Sequence, residues 1–302
     1  MSAQPGSRTS VIVTMVIVAA QAVVLGILAA VTGSAILYAS AMFSVADLGV
    51  EVFLLIGLVR VARPADERHP LGYGQEIFFW SLFAAVGLFV GGGVASIVQG
   101  LGEPSASGGS YALGYLVIVL ITVSDGWALA VSVRGLGART AVTGRSWWAE
   151  LLTGSDPAAK TVTLSNAAAV VSGPIALAGL GLHQATGDEL YDSLGSVLIG
   201  ILLVAVSGLL LRLNQNLIAA PSVDPADLAR IRHAITEVPG VAGVRRVIAV
   251  IVGPHQVMVA ARVTLPPATD LPAAERAMSA VEERLRRRPE ISEVYLTPVA
   301  PE

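Results

Sequence analysis

A chain of 302 residues that is 54% hydrophobic and 14% charged has too few charged side chains for a water-soluble domain, where about a quarter of residues are charged. Most of it therefore has lipid or other helices as its solvent. It contains no cysteine, which excludes disulfides and thiolate metal sites and leaves carboxylate, imidazole, hydroxyl, amide and water as metal ligands. Its net charge of −3 is too small to point to a nucleic-acid partner.

In chain order, residues 1–10 form a short polar tail, and the apolar run after it is too long for a signal-peptide core. It is read as a retained first span. Six segments reach the ~20 apolar residues that a spanning helix needs: about Val11 to Val31, Ala35 to Val61, Ile77 to Gln99, Tyr111 to Val133, Asp156 to Leu182 and Leu190 to Leu211. The tight Thr32-Gly33-Ser34 turn makes the first two antiparallel neighbours. Arg8, Arg60, Arg63, Arg68, Arg134, Arg139, Arg145, Lys160 and Arg212 fall at one set of ends, whereas Glu103, Asp188 and Glu189 occupy the opposite turns without Lys or Arg. By the positive-inside rule both termini are cytoplasmic, and a multi-pass protein of the cell membrane is expected.

The transmembrane domain so read covers 11–213, and a linker follows over 214–222. From Val223 the chain changes character. The pattern predicts a helix over Asp224 to Glu237, strands at Val244 to Val252 and Val257 to Leu265, a helix over Ala273 to Arg287 and a strand at Ile291 to Pro298. That order fits a ferredoxin-like α+β layer. The fold class expected is thus an α-helical membrane protein with six transmembrane helices plus a C-terminal ferredoxin-like α+β cytoplasmic domain, 223–302. About 80 residues make only a modest core. Two helices cover one face of a three-stranded sheet, so pairing with a second copy is expected.

Two stretches carry a family resemblance. They are the run Gly33 to Asp47, and Arg63-Pro64-Ala65-Asp66-Glu67-Arg68-His69-Pro70-Leu71-Gly72-Tyr73-Gly74-Gln75-Glu76. Both resemble the second helix and following loop of cation diffusion facilitators. Asp156-Pro157 and the segment Tyr191-Asp192-Ser193-Leu194-Gly195-Ser196 resemble the subgroup whose fifth helix carries an adjacent Glu-Asp pair. The resemblance implies a homodimer, held through the C-terminal domain and membrane helices, that exports zinc, manganese or a similar divalent cation by proton antiport. The cation would be cargo and not a permanently bound cofactor. The family's transport site is built from His and Asp or Glu of the second and fifth helices, and here the chain departs from it. Phe43 stands at the first position of the second-helix pair, with only Asp47 retained, and Ser165-Asn166 align with the Glu-Asp pair.

A carboxylate near the bilayer centre costs at least ~2.5 kcal/mol, so each should face the bundle interior. Asp47 lies near the middle of its span, and Glu51 is one turn along on the same face. Ser165, Asn166 and Asp125 fall at similar counted depths, so these five are expected to share one slab. Either they form an altered cation or proton site, harder than a His-Asp cluster and suited to manganese, magnesium or protons, or the carboxylates are protonated interhelical glue. By the resemblance, Asp66 and His69 in the loop match a second metal site of some relatives. The alternative is an Asp-to-backbone turn before a helix start at Gln75-Glu76. His233 and His255 read as surface residues, and Lys160 as a side chain snorkelling beside Asp156. Trp147 and Trp148 read as interfacial anchors. Gln21 is expected to bond across helices, and Gly91-Gly92-Gly93 to admit a neighbouring helix.

Two functions are consistent with these residues. One is a divalent cation exporter with an altered site; the other is a transport-incompetent relative acting as a dimer partner or regulator. No nucleophile-base pair or phosphate loop points to an enzyme.

Overall fold

The computed structural model describes residues 5–32, 35–102, 110–143, 146–219 and 221–300. The turn residues Gly33 and Ser34, the side chains of Phe43, Arg8 and Arg139, and the residues Glu103 and Arg145 lie outside the described residues.

Each apolar segment forms a helix. These are α1 (Pro5–Thr32), α2 (Ala35–Val61), a rod of α3 (Glu76–Gly87) and α4 (Ala95–Leu101) joined by a π-helical segment over Leu88–Val94, α5 (Tyr111–Thr143), α7 (Pro157–Thr186) and α8 (Leu190–Ile218). Among the described residues, α1, the α3–α4 rod, α5, α7 and α8 are long and apolar enough to cross a membrane. The chain is therefore a multi-pass membrane protein. Helix α2, at 27 residues, exceeds the ~20 needed to span and carries Asp47 next to its midpoint and Glu51 one turn further on.

The helices run past the ends of the apolar segments because polar residues continue a helix as readily as apolar ones. Thus α5 continues from Val133 to Thr143, and α8 from Leu211 to Ile218 before Pro221. Short α6 (Trp147–Thr153) is not visible in the apolar pattern; Ser146 caps it, its hydroxyl accepting from the Ala149 amide at 3.2 Å. Trp147 and Trp148 open this helix as an edge-to-face pair. Asp156 caps α7 ahead of Pro157, and Gly187 closes it in the left-handed conformation at φ +73°, a position suited to a residue without Cβ.

The triple glycine lies inside the π-helical segment, where α8 comes close. A Cβ on Gly93 would sit 2.8 Å from the Val204 side chain, and one on Gly200 would sit 2.8 Å from the Gly93 carbonyl oxygen. Gly100 is pressed in the same way against Ser193 and Val197. The α3–α4 rod and α8 thus pack backbone to backbone, as the glycines predict.

The chain folds as two compact units, one of residues 1–62 with 76–215, the other of 63–75 with 216–302. In the second unit, α9 (Pro225–Thr236), β1 (Gly243–Gly253), β2 (Gln256–Thr264), α10 (Leu271–Arg286) and β3 (Ile291–Val299) follow one another. The sheet order is β1-β2-β3, with β1 antiparallel and β3 parallel to β2. A parallel neighbour needs a crossover, and α10 supplies it. Ile231 and Ile235 of α9, Val281 and Leu285 of α10, and Ala249, Val259 and Val263 of the sheet close one apolar core. Asp224 and Asp270 cap the two helices by accepting from Ala226 and Ala273. The loop 63–75 belongs to this unit: Gly74 lies so close to Gly253, Val252 and Gln256 that a Cβ would meet them at 3.0 Å or less.

Candidate functional site

Helices α1, α5 and α7 meet through polar side chains at two levels. At the first, Gln21 of α1 donates its amide to the Ser124 hydroxyl at 2.5 Å and to Asp125 Oδ1 at 3.1 Å on α5. This is the cross-helix bond expected of Gln21. At the second level, Asn166 of α7 donates to the Thr14 hydroxyl of α1 at 3.3 Å and to the Ser132 hydroxyl of α5 at 3.4 Å. Thr14, Ser132 and Asn166 keep 2%, 4% and 6% exposure.

Gln21 and Thr14 are seven residues apart on α1, and Asp125 and Ser132 seven apart on α5, so the levels stand about 10 Å apart along the helix axes. The five polar residues expected in one slab are therefore divided. Asp125 belongs to the level of Gln21, and Asn166 to the level of Thr14. The physical reason is stagger. Depth counted along each apolar run ignores the axial offset between neighbouring helices, which side-chain contacts set. Tyr115 bonding to Gln184 across α5 and α7 at 2.8 Å shows that offset directly.

Glu51 is 1% exposed, and its Oε2 has no hydrogen-bond partner among the described residues. Ser44 lies on the same face of α2, seven positions earlier, and is also buried. The Ser165 hydroxyl donates to its own helix at the Val162 carbonyl, 3.2 Å away, so it is turned away from Asn166's partners. Among the described residues no three His, Cys, Asp or Glu side chains come together as a metal cluster. Thr14, Ser124 and Ser132 escape a reading of the sequence because hydroxyls are common in membrane helices; the seven-residue offset from Gln21 is the available signal.

The loop forms the alternative geometry considered for it. Asp66 Oδ1 accepts from the amides of Arg68 and His69 at 2.9 and 2.7 Å, and Oδ2 accepts from the Tyr73 hydroxyl at 2.6 Å. The Tyr73 hydroxyl first, then the His69 and Arg68 amides, hold the Asp66 carboxyl below its ordinary range. His69 Nδ1 is 3.5 Å from Asp66 Oδ1, and its ring stacks near Tyr73 with centroids 4.1 Å apart. A metal at Asp66 and His69 would compete with these donors for the same oxygens.

Lys160 does not snorkel. It is 2% exposed, and its Nζ donates to the Leu152 carbonyl at 3.2 Å with Asp156 and Glu150 as charged neighbours. Helix α6 packs on the start of α7, and a carbonyl of its last turn accepts from the Lys160 ammonium. In the second unit His233 is exposed beside Glu237. His255 sits at φ +56° in the turn between β1 and β2, with partial burial.

Comparison with known proteins places these features in a family. The model described as "Cation efflux transmembrane domain" matches residues 11–217, and that described as "Cation efflux protein, cytoplasmic domain" matches 223–296. The chain is 31% identical over 219 residues to the human protein named proton-coupled zinc antiporter SLC30A9, mitochondrial, covering 72% of this chain and 38% of that one. It is 31% identical over 202 residues to metal tolerance protein C4 of Arabidopsis thaliana, covering 66% of this chain and 44% of that one. The chain thus spans less than half the length of these curated relatives. A solved MamM CTD variant is 27% identical over 26% of this chain and 94% of that one, with a TM-score of 0.24. Cation efflux is transport and not enzymatic turnover, and with its transmembrane part matched over 11–217 the chain belongs to the cation efflux family.

Proposed function

We propose that this protein is a proton-coupled divalent cation exporter whose transport site has been rebuilt from oxygen donors. Asp47 and Asp125 supply its charge, and Glu51 stands one turn along α2 as a separate carboxylate. Ser165 and Asn166 stand where the family resemblance places a Glu-Asp pair. The observation that carries this reading is the Gln21 amide holding Asp125 between α1 and α5, with Glu51 buried on α2 and its Oε2 without a hydrogen-bond partner among the described residues. Two carboxylates from different helices, with the Ser124 hydroxyl beside Asp125, make a hard donor set. Such a set suits manganese or magnesium better than zinc, which favours nitrogen and sulfur.

The names of the relatives, a proton-coupled zinc antiporter and a metal tolerance protein, support cation movement against protons. Asp66 and His69 form a second, loop-borne site that fills only when a cation displaces the Tyr73 hydroxyl. The chain works as a homodimer through its cytoplasmic domain, 223–302, and its membrane helices, 11–213. All six long helices cross the cell membrane, with the polar 1–10 segment, the 214–222 linker and both termini in the cytoplasm.

The test is cation uptake into proteoliposomes holding the purified chain under a pH gradient. Manganese uptake that collapses the gradient and is abolished by Asp47→Asn supports an exporter. Uptake that Asp47→Asn leaves unchanged overturns the assigned site. No uptake of any divalent cation favours the second reading, a transport-incompetent dimer partner, which the Asn166 bonds to Thr14 and Ser132 also fit as neutral interhelical glue. For orientation, a cysteine at Gly187 should react with an impermeant thiol reagent outside intact cells, whereas one at Ala226 should not.

A further inference from the structure

The sheet of the second unit is covered by helices on one face only. Both α9 and α10 pack on the side of Ala249, Val259 and Ala261, and alternate residues of each strand point the other way. The pairing register sorts these outward residues into rows. Arg246 of β1 stands opposite Arg262 of β2, which stands opposite Thr297 of β3. Ile248, Ala260 and Tyr295 form the next row in the same manner. Arg246, Arg262 and Thr297 are all exposed, as are Ile248 at 41% and Tyr295 at 54%.

The charge of the first row calls for a counter-charge. Like charges directly opposite on paired strands repel, and among the described residues neither Arg246 nor Arg262 has an acidic partner. Glu293 is the single acid of the three strands; it pairs in register with Met258, four residues along β2 from Arg262, or about 13 Å. Arg245, set apart by a bulge, donates to the Ala300 carbonyl at 3.4 Å. Two guanidiniums beside a hydroxyl present a row of donors that fits the oxygens of a phosphate. In the next row the small Ala260 lies between Ile248 and Tyr295, which stand about 10 Å apart across it. An open aromatic ring therefore adjoins the cationic row, and exposed aromatic rings on a sheet stack nucleobases. A second copy of the chain, stacked with this row on its own counterpart, would set arginines against arginines.

We propose that this end of the sheet binds a nucleotide. Its phosphate oxygens accept from Arg246, Arg262 and the Thr297 hydroxyl, and its base lies on the Tyr295 ring beside Ala260. The ligand is an anion held by guanidiniums, so the site is distinct from the cation site proposed around Asp47, and neither reading depends on the other.

The test is calorimetric titration of the purified full-length protein with ADP, in low salt and with a chelator present so that no cation bridges phosphate to a carboxylate. ADP should bind saturably, and more tightly than inorganic phosphate or adenosine. Arg246→Gln and Arg262→Gln should each weaken ADP binding by at least ~10-fold, and Tyr295→Ala by at least ~5-fold. Arg287→Gln removes an exposed charge paired with Glu283 on α10 and should leave ADP affinity unchanged. All four positions are exposed, so the variants should fold, which an unchanged thermal midpoint checks. No saturation by millimolar ADP, equal affinity for ADP and inorganic phosphate, or an affinity untouched by Arg246→Gln and Arg262→Gln together would overturn the site. A wild-type chain that ignores ADP but loses its dimer on Arg262→Gln would give this face to a second copy, and would overturn the site equally.

Discussion

The two units of this molecule solve the same packing problem with opposite polarity. In the second unit the apolar residues are inside, and the ion pairs, Arg284 with Glu237, Arg286 with Glu282 and Arg287 with Glu283, are at the surface. In the helical unit Val23, Val98, Leu101 and Val123 point outward, while Glu51, Asp125, Lys160, Asn166 and Asn214 are inside. Water drives the first arrangement by the hydrophobic effect. Lipid supplies no such drive, so the second depends on close backbone approach at Gly93 and Gly200 and on polar side chains that find one another. A buried leucine and a buried amide therefore carry different weight in the two units.

The sharpest way to break this comparison is to cut equal apolar volume from each. Leu285→Ala removes a fully buried side chain and should lower the stability of the second unit by about 2–5 kcal/mol. Leu101→Ala, in a side chain that is 75% exposed, should change the thermal midpoint of the reconstituted protein very little. Comparable losses from both would mean that the outward face of α4 is packed against protein.

A smaller effect is expected from Lys160→Met. It keeps the length of the side chain but removes the donor to the Leu152 carbonyl, and one unmet buried polar group costs about 1–3 kcal/mol. Thermal unfolding in detergent should show a lowered midpoint. An unchanged midpoint would mean that α6 is held on α7 by other contacts.

The smallest effect concerns pH. Because its hydrogen bonds hold the Asp66 carboxyl below its ordinary range, they favour the folded loop at pH above the unfolded carboxyl's value. That contribution fades as pH falls through the lowered, folded value. Tyr73→Phe removes the leading cause, so the acid transition of a reporter on the 63–75 loop should move to higher pH. A transition at unchanged pH would show that the amides of His69 and Arg68 suffice.

How much is legible in the sequence follows the same division. In the second unit α9, β1, β2, α10 and β3 lie within two residues of their expected bounds. A half-wet helix or strand must alternate, and Asp224 and Asp270 mark helix starts. In the helical unit the spans are legible from length, but nothing in an all-apolar run reports which face is inner or how far neighbouring helices slide. Counting along the spans therefore puts Asp125 beside Asn166, whereas Gln21 holds it about two turns away. Helix α6 is hidden because its seven residues lie between polar segments. The π-helical segment at Leu88–Val94 is a backbone feature that Gly91 to Gly93 permit without dictating it. Glu51 is buried as expected, because a carboxylate within a span has few other places to be.

A restored family-type site sharpens the comparison from the other side. Phe43→His, Ser165→Glu and Asn166→Asp together should bind zinc near Asp47 and should reduce expression, since uncompensated charges at membrane depth each cost several kcal/mol. Phe43→His alone should do little, because zinc wants about four good donors.

The central claim, a cation site rebuilt from oxygen donors around Asp47, is tested most directly by calorimetric titration of the purified wild-type chain and Asp47→Asn with manganese and with zinc. The account predicts manganese binding that Asp47→Asn abolishes, and weaker zinc binding in the wild-type chain. Tight zinc binding that survives Asp47→Asn would contradict it.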